Sequence, residues 1–302
     1  MMAPRVLIPF IVVTLIWGST WIVIKDQLGA VPPTWSVAYR FTAAAAAMFF
    51  YALWKGVPLR IGRRGHLFAL SFGLPQFFLN FNLVYAAEHY ITSGLCAVLF
   101  ALLLVPNSAL GWLFLKHRIT PRFLAGSAIA TAGVALLFVQ EMRSTALAPG
   151  AVLLGIGLTL AAVLSASVAN ILQATERARS MPVEGALAWG MAYGVAANIL
   201  LALILYGPPA IEYRAGYWAG VLYLGLVASA LAFPLYFGVI RAVGPGKAAY
   251  SSLLVPIIAM GFSTVLEGYH WSPLAVAGGV LALVGLFVAL KARRPNPVPI
   301  AD

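Results

Sequence analysis

Two tryptophans one helical turn apart, Trp17 and Trp21, lie in an apolar run that also holds Thr14, Gly18 and, at its end, Lys25. On a helix these five residues share an arc of about 100°. Aromatic faces beside a glycine and polar groups suit a flat organic solute, which stacks on the rings while the glycine makes room. A second set runs Gln76, Asn80, Asn82, Tyr85, Glu88 and His89. Asn82, Tyr85 and His89 fall within about 60° of one another, and Gln76 and Asn80 lie on another face. Amide groups in lipid are costly unless paired. One face is therefore expected to meet solute, the one with Asn82, Tyr85 and His89, and the other to pack. Pro75 within the same run is expected to bend it and loosen its backbone ladder.

Further along, Ser165, Ser167, Asn170 and Gln173 punctuate one apolar run. Ser229, Ala232 and Tyr236 share a face of another, and Tyr250 opens a third ahead of Pro256. Small hydroxyls in such helices are satisfied by their own backbone. That leaves Asn170, Tyr236 and Tyr250 as the solute candidates of the second half. Arg40 is the strongly charged group well inside an apolar run. It has three possible roles: meeting a solute carboxylate, pairing with Asp26 or Glu88, or snorkelling outward along its own stem.

Catalytic chemistry finds little to work with. The eight Asp and Glu residues stand singly at the ends of apolar runs or between them. No nucleophile, paired carboxylates or metal-ligand spacing gathers at one place, as a membrane-embedded lipid-modifying enzyme would need. The single cysteine, Cys96, excludes an intramolecular disulfide and a cysteine zinc site. No cofactor and no metal are expected. A net charge of +11 suggests nucleic acid only where a soluble basic face exists, and none is expected here.

The residues must be positioned by membrane helices. Hydrophobic residues make up 62% of the chain and charged residues 9%, with a mean hydropathy of +0.95. A soluble domain carries about 25% charged residues, so the chain is an all-α polytopic membrane protein. A span takes ~20 apolar residues. Ten such segments are laid out at 6–26, 34–54, 66–87, 92–115, 121–140, 150–174, 184–206, 216–240, 247–267 and 273–292, separated by Pro- and Gly-rich turns. No small-x-small cleavage site follows the first, so it is expected to be retained rather than removed as a signal peptide. With the N-terminus inside, fifteen Lys and Arg fall on the inner side and three on the outer, Arg40 lying within a helix. That asymmetry places both termini in the cytoplasm.

The chain also repeats itself. Shifting Pro121–Phe138 by 152 positions aligns Pro121, Ala125, Gly126, Ala130 and Gly133 with Pro273, Ala277, Gly278, Ala282 and Gly285. In each copy the small residues recur at i, i+4 and i+7, so Gly126, Ala130 and Gly133 share one helical face, as do Gly278, Ala282 and Gly285. In lipid such a face serves close helix packing. Two halves, 1–145 and 146–302, follow, each with five helices. Because five is odd, the second half is inverted, as in alternating-access transporters.

Several stretches resemble the drug/metabolite transporter superfamily, in its EamA-type ten-helix branch. They are Trp17-Gly-Ser-Thr-Trp21 with Lys25, Tyr39-Arg40-Phe41 followed by Ala43 to Ala47, and Pro256 with Tyr269, Pro273 and Gly278. The chain departs from the family pattern in having His117 and Tyr269 where a Glu is frequent, and in Pro106, two positions out of phase with Pro256. The resemblance implies a secondary transporter that exports amino acids or other small metabolites through a cavity between the repeats. Within the superfamily the chain is most similar to YddG-like aromatic amino-acid exporters. The resemblance also favours Arg40 as a gating or structural ion pair, with Glu88 as a partner. A small-molecule substrate, the lipid bilayer, no nucleic acid and a monomer complete the expectation, in a bacterial-type inner membrane. Coupling to protons would fall to Glu88/His89 or Glu267/His270; otherwise transport runs downhill.

Overall fold

A chain in lipid must close its backbone hydrogen bonds within each segment, which leaves apolar runs one solution, the helix. The computed structural model describes residues 4–29, 31–116, 119–144, 147–236, 239 and 251–292, and no strand occurs among them. Ten principal helices follow in order among the described residues. The first five are α1 (Pro4–Asp26), α2 (Pro33–Trp54), α3 (Gly62–Ala87), α4 (Ser93–Leu115) and α5 (Pro121–Ser144). The remainder are α6 (Pro149–Gln173), α7 (Val183–Tyr206), α8 (Ala215–Tyr236), α9 (Ser251–Leu266) and α10 (Pro273–Ala292). Helices α1 to α8 are long and apolar enough to cross a membrane, while α9 and α10 are shorter apolar helices within the described residues. Proline opens α2, α5, α6 and α10, where its missing N–H would have gone unpaired anyway.

Two helices depart from regular geometry. Helix α3 widens into a π-helical stretch at Leu74–Leu79, and α8 does so at Tyr223–Leu231. A shift of 152 carries the first to 226–231, inside the second. Gly73 and Gly225 stand in the same relation, and each lets a backbone of the other half approach. A Cβ on Gly73 would lie 2.4 Å from the carbonyl oxygen of Gly190 in α7, and one on Gly225 would lie 2.6 Å from that of Arg40 in α2. Thus α3 packs on α7 and α8 on α2, while α2 and α7 pack on each other. Helix α9 packs against both α1 and α4.

Helices α5 and α10 pair with each other along the small-residue faces. A Cβ on Gly133 would fall 2.3 Å from the backbone nitrogen of Ala282, and one on Gly285 would fall 2.2 Å from that of Ala130. Gly126 meets Ala289 and Gly285 in the same way, and Gly278 meets Gly133. Backbones this close exclude any side chain larger than hydrogen at the glycines. Both ends of the pair are stapled. Thr120 Oγ1 donates to the Ala292 carbonyl at 3.0 Å, and Ser272 Oγ donates to Gln140 Oε1 at 2.6 Å.

Gly133→Ala is expected to destabilise the protein by about 1–3 kcal/mol through overpacking. Gly157→Ala in α6, where nothing lies within 4 Å of the added carbon, is expected to be neutral or to stabilise by up to ~1 kcal/mol. Thermal unfolding in detergent, followed by dye labelling of the buried Cys96, separates the two. Equal melting temperatures for both variants would contradict the close approach.

Candidate solute-binding cavity

Between α1, α2, α3, α4, α6, α7, α8 and α9 the helices leave a cavity of about 190 Å³. That is far above the ~10–15 Å³ needed by one water, so it accommodates an organic molecule. Helix α5 contributes no lining residue, and neither does α10. One helical face of α1 supplies Trp17, Thr20, Trp21 and Ile24. Trp17 Nε1 donates to the Ala228 carbonyl, 3.2 Å away in the π stretch of α8. Its ring meets Phe233 edge-on at 5.6 Å and Tyr236 at 4.8 Å. Trp21 packs on Phe100 of α4 at 5.0 Å, and its buried Nε1 has no hydrogen-bond partner. Asn170 and Gln173 of α6 and Tyr236 of α8 also line it. Asn170 Nδ2 lies 3.5 Å from Asn107 Oδ1, which also accepts from Ser167 Oγ at 2.8 Å.

Four expected members of the solute-facing set thus line the cavity: Trp17, Trp21, Asn170 and Tyr236. Tyr250 lies outside the described residues. Helix α3 reverses its expected faces. Gln76 and Asn80 line the cavity, whereas Asn82, Tyr85 and His89 do not. The reason is the π stretch, whose widened turn frees carbonyl groups that need donors. Asn198 of α7 donates to the Phe77 carbonyl at 3.0 Å and accepts from Asn82 Nδ2 at 2.6 Å. Asn82 Nδ2 also reaches the Phe78 carbonyl at 2.8 Å, and Ser165 Oγ of α6 donates to the Pro75 carbonyl at 2.8 Å. Asn82 is therefore drawn toward α7, which turns Asn80 inward. Gly18 is corrected too: the room it makes is taken by Ile258 of α9, which a Cβ would meet at 2.6 Å.

Tyr85 belongs to a layer that closes the bundle beyond the cavity. Its hydroxyl is fully buried and donates to Gln27 Oε1 at 2.7 Å, and Gln27 Nε2 reaches the Tyr217 carbonyl at 3.5 Å. The Tyr217 hydroxyl pairs with Ser36 at 2.7 Å. Lys25 Nζ caps the end of α3 by donating to the carbonyls of Glu88 and Ile91. Glu141 and Glu267 accept from the backbone of Thr92 and Ser93 at the start of α4, at 3.0 and 3.2 Å. His89 is exposed, and desolvation lowers its imidazole below the usual histidine range, with the Lys25 charge adding to the effect.

The ion pair expected of Arg40 is absent. Among the described residues the salt bridge is Arg214 with Asp26 at 2.8 Å, which occupies one expected partner. Glu88 is buried with neither carboxyl oxygen hydrogen-bonded. Arg40 itself is 2% exposed and lines the cavity. Its Nε and one terminal nitrogen lie 3.4 and 3.3 Å from Ser229 Oγ, and its guanidinium sits 4.3 Å from the Phe81 ring centre. Among the described residues it is the one charged side chain in the cavity lining, which holds no Asp or Glu. Sequence reasoning assigned Asn80 and Gln76 to packing and missed Phe100. Pro75 was the available signal for the first two, and for Phe100 there was none.

A family model described as the EamA-like transporter family matches the chain twice, over residues 5–139 and 153–291. A relative from Salmonella typhimurium described as a probable amino-acid metabolite efflux pump is 26% identical over 92% of each chain. A second, the uncharacterized inner membrane transporter YedA of Escherichia coli, is 29% identical over 95% of this chain and 92% of its own. One solved crystal structure aligns over 96% of this chain and 97% of its own, with a TM-score of 0.71 and 20% identity, and shares the fold.

The two asparagine faces of α3 are separable by experiment. Asn198→Ala leaves Asn82 and the Phe77 carbonyl without their partner and is expected to cost about 1–3 kcal/mol. Asn80→Ala removes a carbonyl oxygen that has no partner and is expected to stay within about 0.5 kcal/mol of the parent. Thermal unfolding of the two variants in detergent measures both, and a larger loss for Asn80→Ala would contradict the assignment of faces.

Proposed function

The chain belongs to the EamA-like transporter family, and from that premise we propose that it exports amino acids, aromatic ones included, by alternating access. It is a multi-pass transporter of metabolites in the bacterial inner membrane. The observation that carries the finer reading is the cavity itself. Aromatic rings from both halves wall it, Trp17, Trp21 and Phe100 from one and Phe233 and Tyr236 from the other. Its lining runs from Arg40, Val84 and Ala97, within the bundle, to Gln173, Tyr236 and Ser251 at the ends of α6, α8 and α9 that share a side with the start of α1. That side carries most of the Lys and Arg, so it faces the cytoplasm under the charge rule. On this reading solute loads from inside and stacks on the rings, while the Lys25, Gln27, Tyr85 and Tyr217 layer closes the outer end.

Release then requires that layer to part. The hydrogen bonds of Lys25 and Gln27 join α1 to α3 and α8, so α1 must move relative to both. The halves 1–145 and 146–302 are the bodies that rock, in inverted topology. This division is supported by the two family matches and by the recurrence of the π stretch and of Gly73 at Gly225. A π turn is a point of low cost for bending. The monomer contains both halves and is the working unit.

Flux of labelled amino acids in proteoliposomes tests the reading, first at equal pH and then with a proton gradient. Phenylalanine and tryptophan are expected to move, and Trp17→Ala is expected to cut that flux about tenfold or more with folded yield retained, since stacking and the Ala228 contact are lost together. Movement only under a gradient would assign coupling to Glu88 and its neighbours. Undiminished flux in Trp17→Ala would remove Trp17 from the solute path.

A further inference from the structure

We propose that Arg40 is the carboxylate anchor of the cavity, and that the site takes an α-amino acid by its two charged groups, with Asn80 receiving the ammonium. The proposal rests on reading the cavity as the solute path. It names the chemical class that fits it.

The argument begins with cost. A guanidinium removed from water loses several kcal/mol of hydration unless charge or hydrogen bonds replace it. Arg40 has little of either. Ser229 is a neutral partner at 3.3–3.4 Å, and one terminal nitrogen is buried with no partner at all. Phe81 at 4.3 Å and Phe41 at 5.1 Å supply cation–π contact, which replaces only part of the lost hydration. Tyr85 and Glu88 act on Arg40 electrostatically, and Tyr85 is also a neutral hydrogen-bonding neighbour, yet the Tyr85 hydroxyl gives its proton to Gln27, and Glu88 lies beyond salt-bridge distance. A structural arginine would be expected to have found its carboxylate. Here Asp26 is taken by Arg214, and among the described residues the cavity lining contains no acid.

The unsatisfied groups complement one kind of ligand. A guanidinium edge offers parallel N–H donors that match a carboxylate in two-point contact, and the unpartnered nitrogen of Arg40 belongs to such an edge. Trp21 Nε1, another unpartnered donor in the lining, adds to the positive end. Asn80 Oδ1 is an unpartnered acceptor in the same lining, 2% exposed as a residue. Donors for a carboxylate, an acceptor for an ammonium and aromatic walls for a side chain make up the complement of an amino acid. The lining is asymmetric: it holds the Arg40 cation and, among the described residues, no acid. The carboxylate is therefore the required group and the ammonium the secondary one.

Two ligand series decide the matter on the purified full chain, read by shift of unfolding temperature and by tryptophan fluorescence. Phenylalanine is compared with 3-phenylpropanoate, which lacks the ammonium, and with 2-phenylethylamine, which lacks the carboxylate. Leucine, 4-methylpentanoate and 3-methylbutylamine form the second series. In each, the two carboxylates are expected to bind on the order of tenfold or more tightly than the amine. Arg40→Gln should abolish that preference, Arg40→Lys should keep part of it, and Asn80→Ala should weaken the amino acid but not the ammonium-free acid. Should Arg40→Gln fail to fold, the comparison of ligands on the unaltered protein still decides. An amine that binds as well as its acids, a carboxylate preference that survives Arg40→Gln, or no binding by any of the six overturns the anchor. Arg40-dependent binding without amino-acid flux in vesicles would overturn export and leave the anchor standing. Flux indifferent to Arg40→Gln would overturn the anchor and leave export standing.

Discussion

Lipid supplies no hydrogen bonds, so a carbonyl released by a helix must be met by a donor from the protein. Most of this chain avoids the problem by staying α-helical. Where α3 widens at Leu74–Leu79, the problem is met by Ser165, Asn82 and Asn198, which donate to the carbonyls of Pro75, Phe78 and Phe77. These side chains come from α6, α3 itself and α7. One local irregularity thereby ties both halves together at mid-bundle and fixes which face of α3 looks into the cavity. In α8 the corresponding stretch is served by Ser229, which donates to Leu224 at 2.8 Å and also faces Arg40. Trp17 reaches a carbonyl of the same stretch. The irregular turns thus sit against the residues that face the cavity.

The molecule separates packing from solute contact. Helices α5 and α10 approach through glycine and alanine until their backbones touch, and neither lines the cavity. Such an interface has no room for a side chain and little freedom to slide. The cavity walls, by contrast, are joined by single hydrogen bonds and ring contacts, such as Trp17 to Ala228 and Trp21 to Phe100. Contacts of that strength can be exchanged for contacts with a solute. The same holds at the closed end, where Lys25 of α1 and Gln27 just after it hold α3 and α8 through a few polar groups. Local stability follows contact density, so the elements that move are expected among these and not in the α5–α10 pair.

Charge is distributed by the same logic. The carboxylates of Glu141 and Glu267 serve backbone donors at the start of α4, where a helix N-terminus favours negative charge. Lys25 serves carbonyls at the end of α3, where a helix favours positive charge. Arg40 has no such terminus and no acid within salt-bridge distance among the described residues. With the buried Glu88 it stands apart from the paired groups of this layer, and it faces the cavity.

The sequence by itself determined a good deal here. Composition and run length specified membrane helices. The recurrence of Gly126, Ala130 and Gly133 at Gly278, Ala282 and Gly285 pointed to a packing face, because residues at i, i+4 and i+7 must share a side whatever surrounds them. The same periodicity separated Asn82 from Asn80, yet expected Asn82 at the cavity, where the structure places Asn80. Periodicity says which residues lie together on one helix and not what that side confronts. Only the tertiary structure decided that: Asn198 took Asn82, Ile258 filled the space beside Gly18, and Arg214 claimed Asp26. Each of those partners lies more than a hundred residues away in the chain. Contacts so distant are set by how whole helices pack, and a pattern read along one helix does not contain them.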